Sequence, residues 1–383
     1  MQPPTLSVNV YDSLLNGGQF RHRLNRPEGY THMSQANGGF WSAQFSLSGD
    51  VMEADEWLEE GLMRHIVVFD EALGKCWEGF VNQVTVVYGT LTVARGPLLD
   101  VANNVALYYS TVDNTTIPPT VGLRALTPYA TDTTSQTVYG IRRKILSTGG
   151  CVPADALVIR STYLADNAYP AVTKTWASGE GSPPIVTVNC LGYAHWLDYP
   201  YNQTVATASV TTTAKILLIL AANPNIAWLP FTTTGITTPA APANVDHYEN
   251  DYNLAWDLIM DCVNRGDTNQ ARWLFGVYGD LAASYVIAPT TAEYHQRLTD
   301  RAQRITTPVG TEVPPWSVLP GKWLLFPDLL VARAPTVSMQ DDPRTMFIES
   351  VTYTAPNQLS LTGGRLDTLS QLLAQKGLSG VGG

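Results

Sequence analysis

Large apolar and small polar residues alternate along Gly39-Phe-Trp-Ser-Ala-Gln-Phe-Ser-Leu, the period of a strand with one buried face. Ile66 to Phe69 reads as a short buried strand and Asp70 to Lys75 as a turn. Cys76 to Tyr88 reads as a long strand on which Thr90 to Ala94 folds back after Gly89. These segments constrain the chain most: residues 1–112 read as a mainly β unit with helices inserted. Val51 to Leu62 follows the turn Ser-Gly-Asp and spaces Met52, Trp57, Leu58 and Leu62 roughly as a helix does. Its carboxylates crowd the early turns, where the helix dipole favours them. Gly96 to Val105 predicts a short helix with proline in its first turn, and Leu107 to Ser110 a closing strand.

Composition then changes. Residues 111–138 are dense in threonine and include Pro118, Pro119 and Pro128; they are too polar for a core and predict an extended connector or exposed loop. A mixed region follows to about residue 310. Pro184 to Leu191 is a β run leading into Gly192-Tyr-Ala-His-Trp-Leu, Thr211 to Ala222 is a helix with a threonine cap, and Thr232 to Pro242 is a second Thr/Pro loop. Tyr252 to Arg265 carries the clearest helical stripe, Leu254, Leu258, Ile259 and Cys262, and Gly266 stops it. Arg272 to Tyr278 and Ala283 to Pro289 predict paired strands joined through Gly279-Asp280. The tail returns to strands at Lys322–Phe326, Thr345–Tyr353 and Gln358–Leu361, with a closing helix from Asp367 to Gln375.

At 383 residues the chain has room for two or three domains of ~150 residues, and 45% hydrophobic residues supply a sizeable core. Only 15% of residues are charged, against ~25% in ordinary soluble proteins. With 23 Lys plus Arg and 33 Asp plus Glu the net charge is −10, which argues against a dedicated nucleic-acid binder. Seventeen arginines against six lysines suit partly buried pairing and subunit interfaces, although base-composition bias explains the ratio equally well. Met-Gln-Pro-Pro-Thr predicts no secretory signal. The longest aliphatic run, Ile216 to Ala222, is far short of the ~20 residues that span a bilayer. Cys76, Cys151, Cys190 and Cys262 lie far apart and read as buried free thiols rather than a disulfide frame or zinc site.

Catalytic and ligand-binding motifs are sparse. The sequence has no phosphate-binding glycine loop, dinucleotide fingerprint, zinc-protease helix or nucleophile elbow. Glu53, Asp55, Glu56, Glu59 and Glu60 offer paired carboxylates of the kind glycoside hydrolysis needs, but such a cluster more often forms the wet face of a helix. Cys151 with a distant His195 is a weak thiol-nucleophile candidate beside a buried thiol. Asp246, Glu249 and Asp251 around His247 offer oxygen ligands to a cation, or merely a charged helix entry. His22 and His32 are the one loose histidine pair and read as loop residues. Ten tryptophans and eighteen tyrosines suggest a sugar platform, yet Trp41, Trp77, Trp196, Trp256, Trp273 and Trp323 all fall among apolar neighbours in predicted elements, as core or interface packing does. No catalytic, cofactor-binding or metal residue is therefore assigned, and a chain of this kind is expected to work through its surfaces.

Trp77-Glu-Gly-Phe-Val-Asn-Gln-Val-Thr-Val and Leu91-Thr-Val-Ala-Arg-Gly-Pro-Leu-Leu-Asp-Val-Ala-Asn-Asn-Val together resemble the first barrel of bacteriophage tail hub proteins. Val186 to Leu197 resembles the strand opening the family's middle domain, and the helix Leu254–Arg265 with Arg272 to Pro289 its helix-plus-hairpin core. Leu319-Pro-Gly-Lys-Trp-Leu, Phe347-Ile-Glu-Ser-Val-Thr-Tyr and Leu359 to Leu373 resemble the second barrel. The Thr-rich stretches 111–138 and 204–242 match no motif of the family. The resemblance implies an α+β, mainly β fold with two tail-tube-like β-barrel domains and an inserted mixed α/β region. The divisions expected are 1–112, 113–310 and 311–383, the last completing the second barrel and adding a C-terminal helix. It also implies a non-enzymatic virion protein without cofactors, made in the host cytoplasm and carried at the tail tip or baseplate hub. Three copies would form a homotrimeric ring joining the tail tube or distal tail protein to fibre or spike proteins, with DNA only in transit through the lumen. The helix 51–62 and strand 76–88 are the expected contacts, with Trp57, Leu58, Val84 and Val86 as interface candidates. A tail-associated carbohydrate-degrading enzyme and a glycan-binding receptor module are the alternatives.

Overall fold

In the computed structural model of the chain, the residues described are 6–25, 27–71, 74–179, 183–201, 209–245, 253–269, 271–297, 300, 304–328, 339, 342–355 and 358–364. The architecture is α+β and mainly β. The first strands are β1 (Leu6–Tyr11), β2 (Phe20–Asn25), β3 (Glu28–Gln35), β4 (Gly38–Ser48), β5 (His65–Asp70), β6 (Gly74–Tyr88) and β7 (Leu91–Arg95), with helix α1 (Val51–Glu60) between β4 and β5. A small unit follows: β8 (Asn104–Asp113), β9 (Thr120–Leu126), β10 (Ala130–Thr131), α2 (Thr133–Tyr139), β11 (Arg143–Cys151) and α3 (Pro153–Asn167). Next come β12 (Val172–Trp176), β13 (Ile185–Leu191), β14 (Val210–Thr211), α4 (Thr212–Ala221), β15 (Thr232–Ile236), β16 (Asn244–Val245), α5 (Ala255–Arg265), β17 (Trp273–Tyr278) and β18 (Ala282–Ile287). The tail holds β19 (Ala292–Gln296), β20 (Ile305–Thr306), β21 (Glu312–Val313), β22 (Trp323–Leu325), β23 (Thr345–Thr354) and β24 (Gln358–Gly364). The predicted helix 367–375 lies outside the described residues.

Strands pair antiparallel in the order β2–β1–β5–β6–β13–β4–β3. β7 continues along the β5 edge of β6 and carries β12 on its outer side. β2 and β3 follow one another in the chain but share no pairing among the described residues, so hydrogen bonds do not close the ring into the expected barrel. β3 gives its other edge to β23, which carries β24 and β22, and β22 leads on to β19, β20 and β21. β17 joins β4 in parallel through Gly38 and Gly39, and β18 and β15 extend that side. Among the described residues this makes one network of eighteen strands rather than two separately closed barrels. Glycine permits the junction: Gly39 sits at φ 75, and a Cβ there would strike the backbone of Val277.

Long-range pairing corrects three further expectations. β13, expected to open the middle region, lies between β4 and β6. β8, expected to close the first unit, pairs among the described residues only with β9, β10 and β11, forming a second sheet. The Thr-rich connector 111–138 is the end of β8 with β9, β10 and the start of α2, and part of the second Thr/Pro loop is β15. Threonine is a good strand former, and a strand with both faces in water needs no apolar alternation.

The elements with their own start and stop signals appear where expected. In α1 the Asp50 carboxylate accepts from the Glu53 backbone N–H at 2.8 Å, and Ala54 and Trp57 face inward. In α4 the Thr211 hydroxyl accepts from the Ala214 N–H at 3.2 Å, and α5 ends at Gly266 with φ 61. One large core runs from Val8, Phe45 and Trp57 through Trp77, Val84 and Val86 to Trp196, Ile259 and Phe275. Each such side chain contributes ~1.5–3 kcal/mol by leaving water. The tail strands add two smaller clusters, around Trp323 and Phe347 and around Leu324 and Ile348, while Leu107, Tyr109 and Ala156 hold the small sheet against α3.

Candidate interaction surfaces

The residues expected at an interface lie inside the chain. Trp57 is 1% exposed, edge-on to Phe45 at 6.1 Å between ring centroids, with the Arg64 guanidinium 4.8 Å from its own ring centroid. Val84 and Val86 alternate inward along β6 and are fully buried, and Leu58 is half-buried against the same core. Periodicity identified the buried face correctly: these residues belong to the chain's own large core, where α1 packs on β6 and β13.

Part of the acidic face of α1 is taken up in ion pairs. The guanidinium of Arg64 donates to Glu56 at 2.6 Å and lies 3.6 Å from Glu60, and Arg21 reaches both from β2. The Tyr88 hydroxyl donates to Asp55. His22 sits on β2 beside Trp57, whereas His32 is buried between Tyr30 and Tyr353, and burial pushes its pKa down to about 4. Cys151 ends β11 beside α3, while His195 stacks on Trp41 with ring centroids 4.2 Å apart, so the two belong to different surroundings. Burial raises the Cys76 and Cys262 thiols to about 12, which keeps them protonated near neutrality. The residues around His247 lie outside the described residues, and among those described no three His, Cys, Asp or Glu side chains gather as metal ligands. Trp77, Trp196, Trp273 and Trp323 are core residues, and Trp41 and Trp256 are half-buried beside them.

A polar cluster that runs from buried Glu78 and His65 out to exposed Asp280 links β6 to the β17–β18 turn. Glu78 on β6 accepts from the Asp280 backbone N–H at 2.7 Å, and Lys75 donates to both Glu78 and Asp280, the latter at 2.6 Å. His65 and the Tyr193 hydroxyl are 2.7 Å apart beside them. Asp280 sits in the turn between β17 and β18 at φ 60, so these bonds anchor that hairpin to β6. The cluster is a structural cross-link, since every charged member has a partner within the chain.

Three other surfaces are open. β12 pairs with β7 on one side and with no strand on the other among the described residues; its whole length is exposed, and Trp176 keeps 72% of its surface. β9 is likewise paired only to β8 and presents Val121 and Leu123, the latter 89% exposed. α3 buries only Ala156 and turns Leu157, Val158 and Ile159 outward. Unpaired strand edges and outward apolar groups in a row are what partner-binding surfaces present. Sequence reasoning missed all three. Val-Thr-Lys-Thr-Trp and Thr-Val-Gly-Leu-Arg lack clean alternation, and the apolar residues of α3 form no inward stripe. Only β-branched content in otherwise polar stretches hinted at strands.

No family model and no curated protein matches the chain. Among solved structures, the chain is similar to a 43 kDa tail protein of prophage MuSo2 from Shewanella oneidensis, at 7% identity and TM-score 0.42 over 96% of this chain and 98% of that one. It is also similar to a tail protein from Neisseria meningitidis MC58, at 8% identity and TM-score 0.42 over 94% and 96%. Likeness at this level assigns no function.

Proposed function

We propose that the chain is a structural protein of a phage tail, acting at the tip or baseplate hub as an oligomeric, non-enzymatic ring. The observation that carries this reading is the open β12 edge with Trp176, together with the outward apolar residues of β9 and α3, all on a chain whose charged groups are few. The order of motifs that resembles tail hub proteins supports the choice of tail. In this reading three copies close through these surfaces, and the ring joins tail tube to fibre or spike proteins. DNA crosses the lumen without being held, because a net charge of −10 repels phosphate. Sedimentation equilibrium tests the assembly: three times the 41.7 kDa chain mass is expected at high concentration. A monomer at every concentration, with or without the neighbouring tail proteins, counts against the ring. Imaging virions that carry a labelled copy tests the location; label anywhere but the far end of the tail counts against the tip.

A further inference from the structure

Where β11 leaves the large core, three consecutive cations, Arg142, Arg143 and Lys144, line a cavity of about 380 Å³. The chain as a whole is acidic, so this run is a local exception. The site is built by two buried asparagines that grip the backbone on either side of it. The Arg142 N–H donates to Asn103 Oδ1 at 2.8 Å, and the backbone N–H groups of Asn103 and Asn104 donate to the Arg142 carbonyl at 3.1 Å each. The Ile141 N–H donates to Asn225 Oδ1 at 2.7 Å, and Asn225 Nδ2 donates back to the Ile141 carbonyl at 2.9 Å. Asn103 Nδ2 donates to Ser135 and to the carbonyl of Gly140, which turns the chain into the site at φ 68.

Arg142 is held there at 9% exposure, its guanidinium carbon 3.5 Å from the Trp196 ring centroid and one nitrogen 3.9 Å from Met63 Sδ. It makes no ion pair among the described residues; Asp198 acts on it only from beyond contact distance. Burial lowers the group to about 9, so it keeps its charge at pH 7. A buried guanidinium with an aromatic face for company and no carboxylate is costly unless something anionic meets it. Three N–H nitrogens on cavity-lining residues, Arg142 Nε, Arg143 Nε and Trp196 Nε1, are buried and find no hydrogen-bond partner among the described residues. Burial takes His195 down to about 4, so the ring is neutral near pH 7. The opposing charges on the cavity wall are Asp100 and Asp198, which leaves the cations in excess.

We propose that this cavity binds one oxyanionic group, of phosphate or carboxylate chemistry, through Arg142 with Arg143 and Lys144 in support. The planar guanidinium matches either group, and the neighbouring N–H donors need the acceptor oxygens that both supply. The site is independent of the assembly reading above, since it lies within one chain.

Calorimetric titration of the full chain with inorganic phosphate and with acetate, in chloride buffer at pH 7 and constant ionic strength, tests it. Saturable binding at one site per chain is expected for at least one anion. Phosphate alone identifies a phosphate group as the ligand, and acetate alone a carboxylate. Arg142→Met weakens it by about tenfold or more, the share of a hydrogen bond to a charged partner. Because that variant disturbs a buried position, two exposed ones decide in its place if circular dichroism shows it unfolded: Lys144→Ala weakens binding and Asp198→Asn strengthens it, each several-fold. No saturable heat with either anion overturns the proposal. So does affinity that Asp198→Asn fails to raise, or that folded Arg142→Met leaves unchanged.

Discussion

The sheet around Trp57 and Trp77 and the small unit around α3 draw on the same residue types and turn them in opposite directions. In the first, Phe45, Ile66, Val84 and Val86 all point inward and keep no surface. In the second, Leu107, Tyr109 and Ala156 close a small cluster of their own and Val105, Ala106 and Tyr139 are buried beside the large core, while Val121, Leu123 and Val158 face outward. The difference locates two jobs. Stability resides in the large core, where each removed contact opens a cavity; in the proposed function, association falls to the surfaces where apolar groups are left uncovered.

The sharpest attempt to break that division is Val84→Asp. A carboxylate buried there, between Val188 and Arg95 in the sheet, costs heavily to desolvate even where Arg95 turns to meet it, and a loss of more than about 3 kcal/mol is expected in urea unfolding. Trp57→Ala should cost about 3–5 kcal/mol for the cavity it leaves. If either variant instead keeps its urea midpoint and only disperses the oligomer, β6 and α1 are contact surfaces after all.

Acid distinguishes the regions next. Burial holds His32 and His65 at about 4, below the ordinary value near 6.5, and the small unit between residues 104 and 167 contains no histidine. A depressed histidine contributes stability that is fully present above pH 6.5. As the pH falls from 6.5 towards 4 the unfolded chain takes up protons that the folded chain refuses, so stability is lost across that window and no further below it. Roughly 3 kcal/mol per histidine follows. Urea midpoints measured from pH 7 to pH 4 should therefore fall steeply, and His32→Gln should remove about a third of the histidine-driven slope, since His65 and His195 are held equally low. An unchanged slope places the acid sensitivity elsewhere.

Asn103 sharpens the comparison from between the regions, because its side chain bonds Arg142, Ser135 and Gly140 where β8 departs from the large core. Asn103→Ala leaves those buried groups unpartnered and should cost about 1–3 kcal/mol. Hydrogen exchange should quicken first at β8 and β11, ahead of β6 and β13; uniform acceleration would mean that the two regions open as one.

Much of the large sheet was legible because its elements are self-contained in sequence. α1, α4 and α5 each carry a cap or stop residue beside their periodic stripe, and β6 with β7, or β17 with β18, are neighbours joined by short turns. What stayed hidden depends on residues far apart. Nothing local says that Ile185–Leu191 inserts between β4 and β6, or that β3 offers its edge to β23 rather than closing on β2. The cavity beside Arg142 is assembled from segments near residues 100, 142, 165, 197 and 225, with no shared motif. The interface candidates meet a related difficulty: alternation in β6 reveals that Val84 is covered, and a residue covered by its own chain leaves the same trace as one covered by a partner.

Outward residues therefore give the smallest effect on folding and the most informative one on assembly. Trp176→Ser on β12 and Val158→Ser on α3 remove apolar surface that touches little of the chain, so the urea midpoint should move by no more than ~0.5 kcal/mol. Their sedimentation should change instead, towards the single chain. The pairing of results matters more than either alone. A variant that lowers mass while leaving stability untouched has removed a contact between molecules, which no core substitution can mimic. Stability that drops along with mass would mean that α3 and β12 lean on the large sheet more than their exposure indicates, and the division between a region that folds and a region that binds would lose its basis.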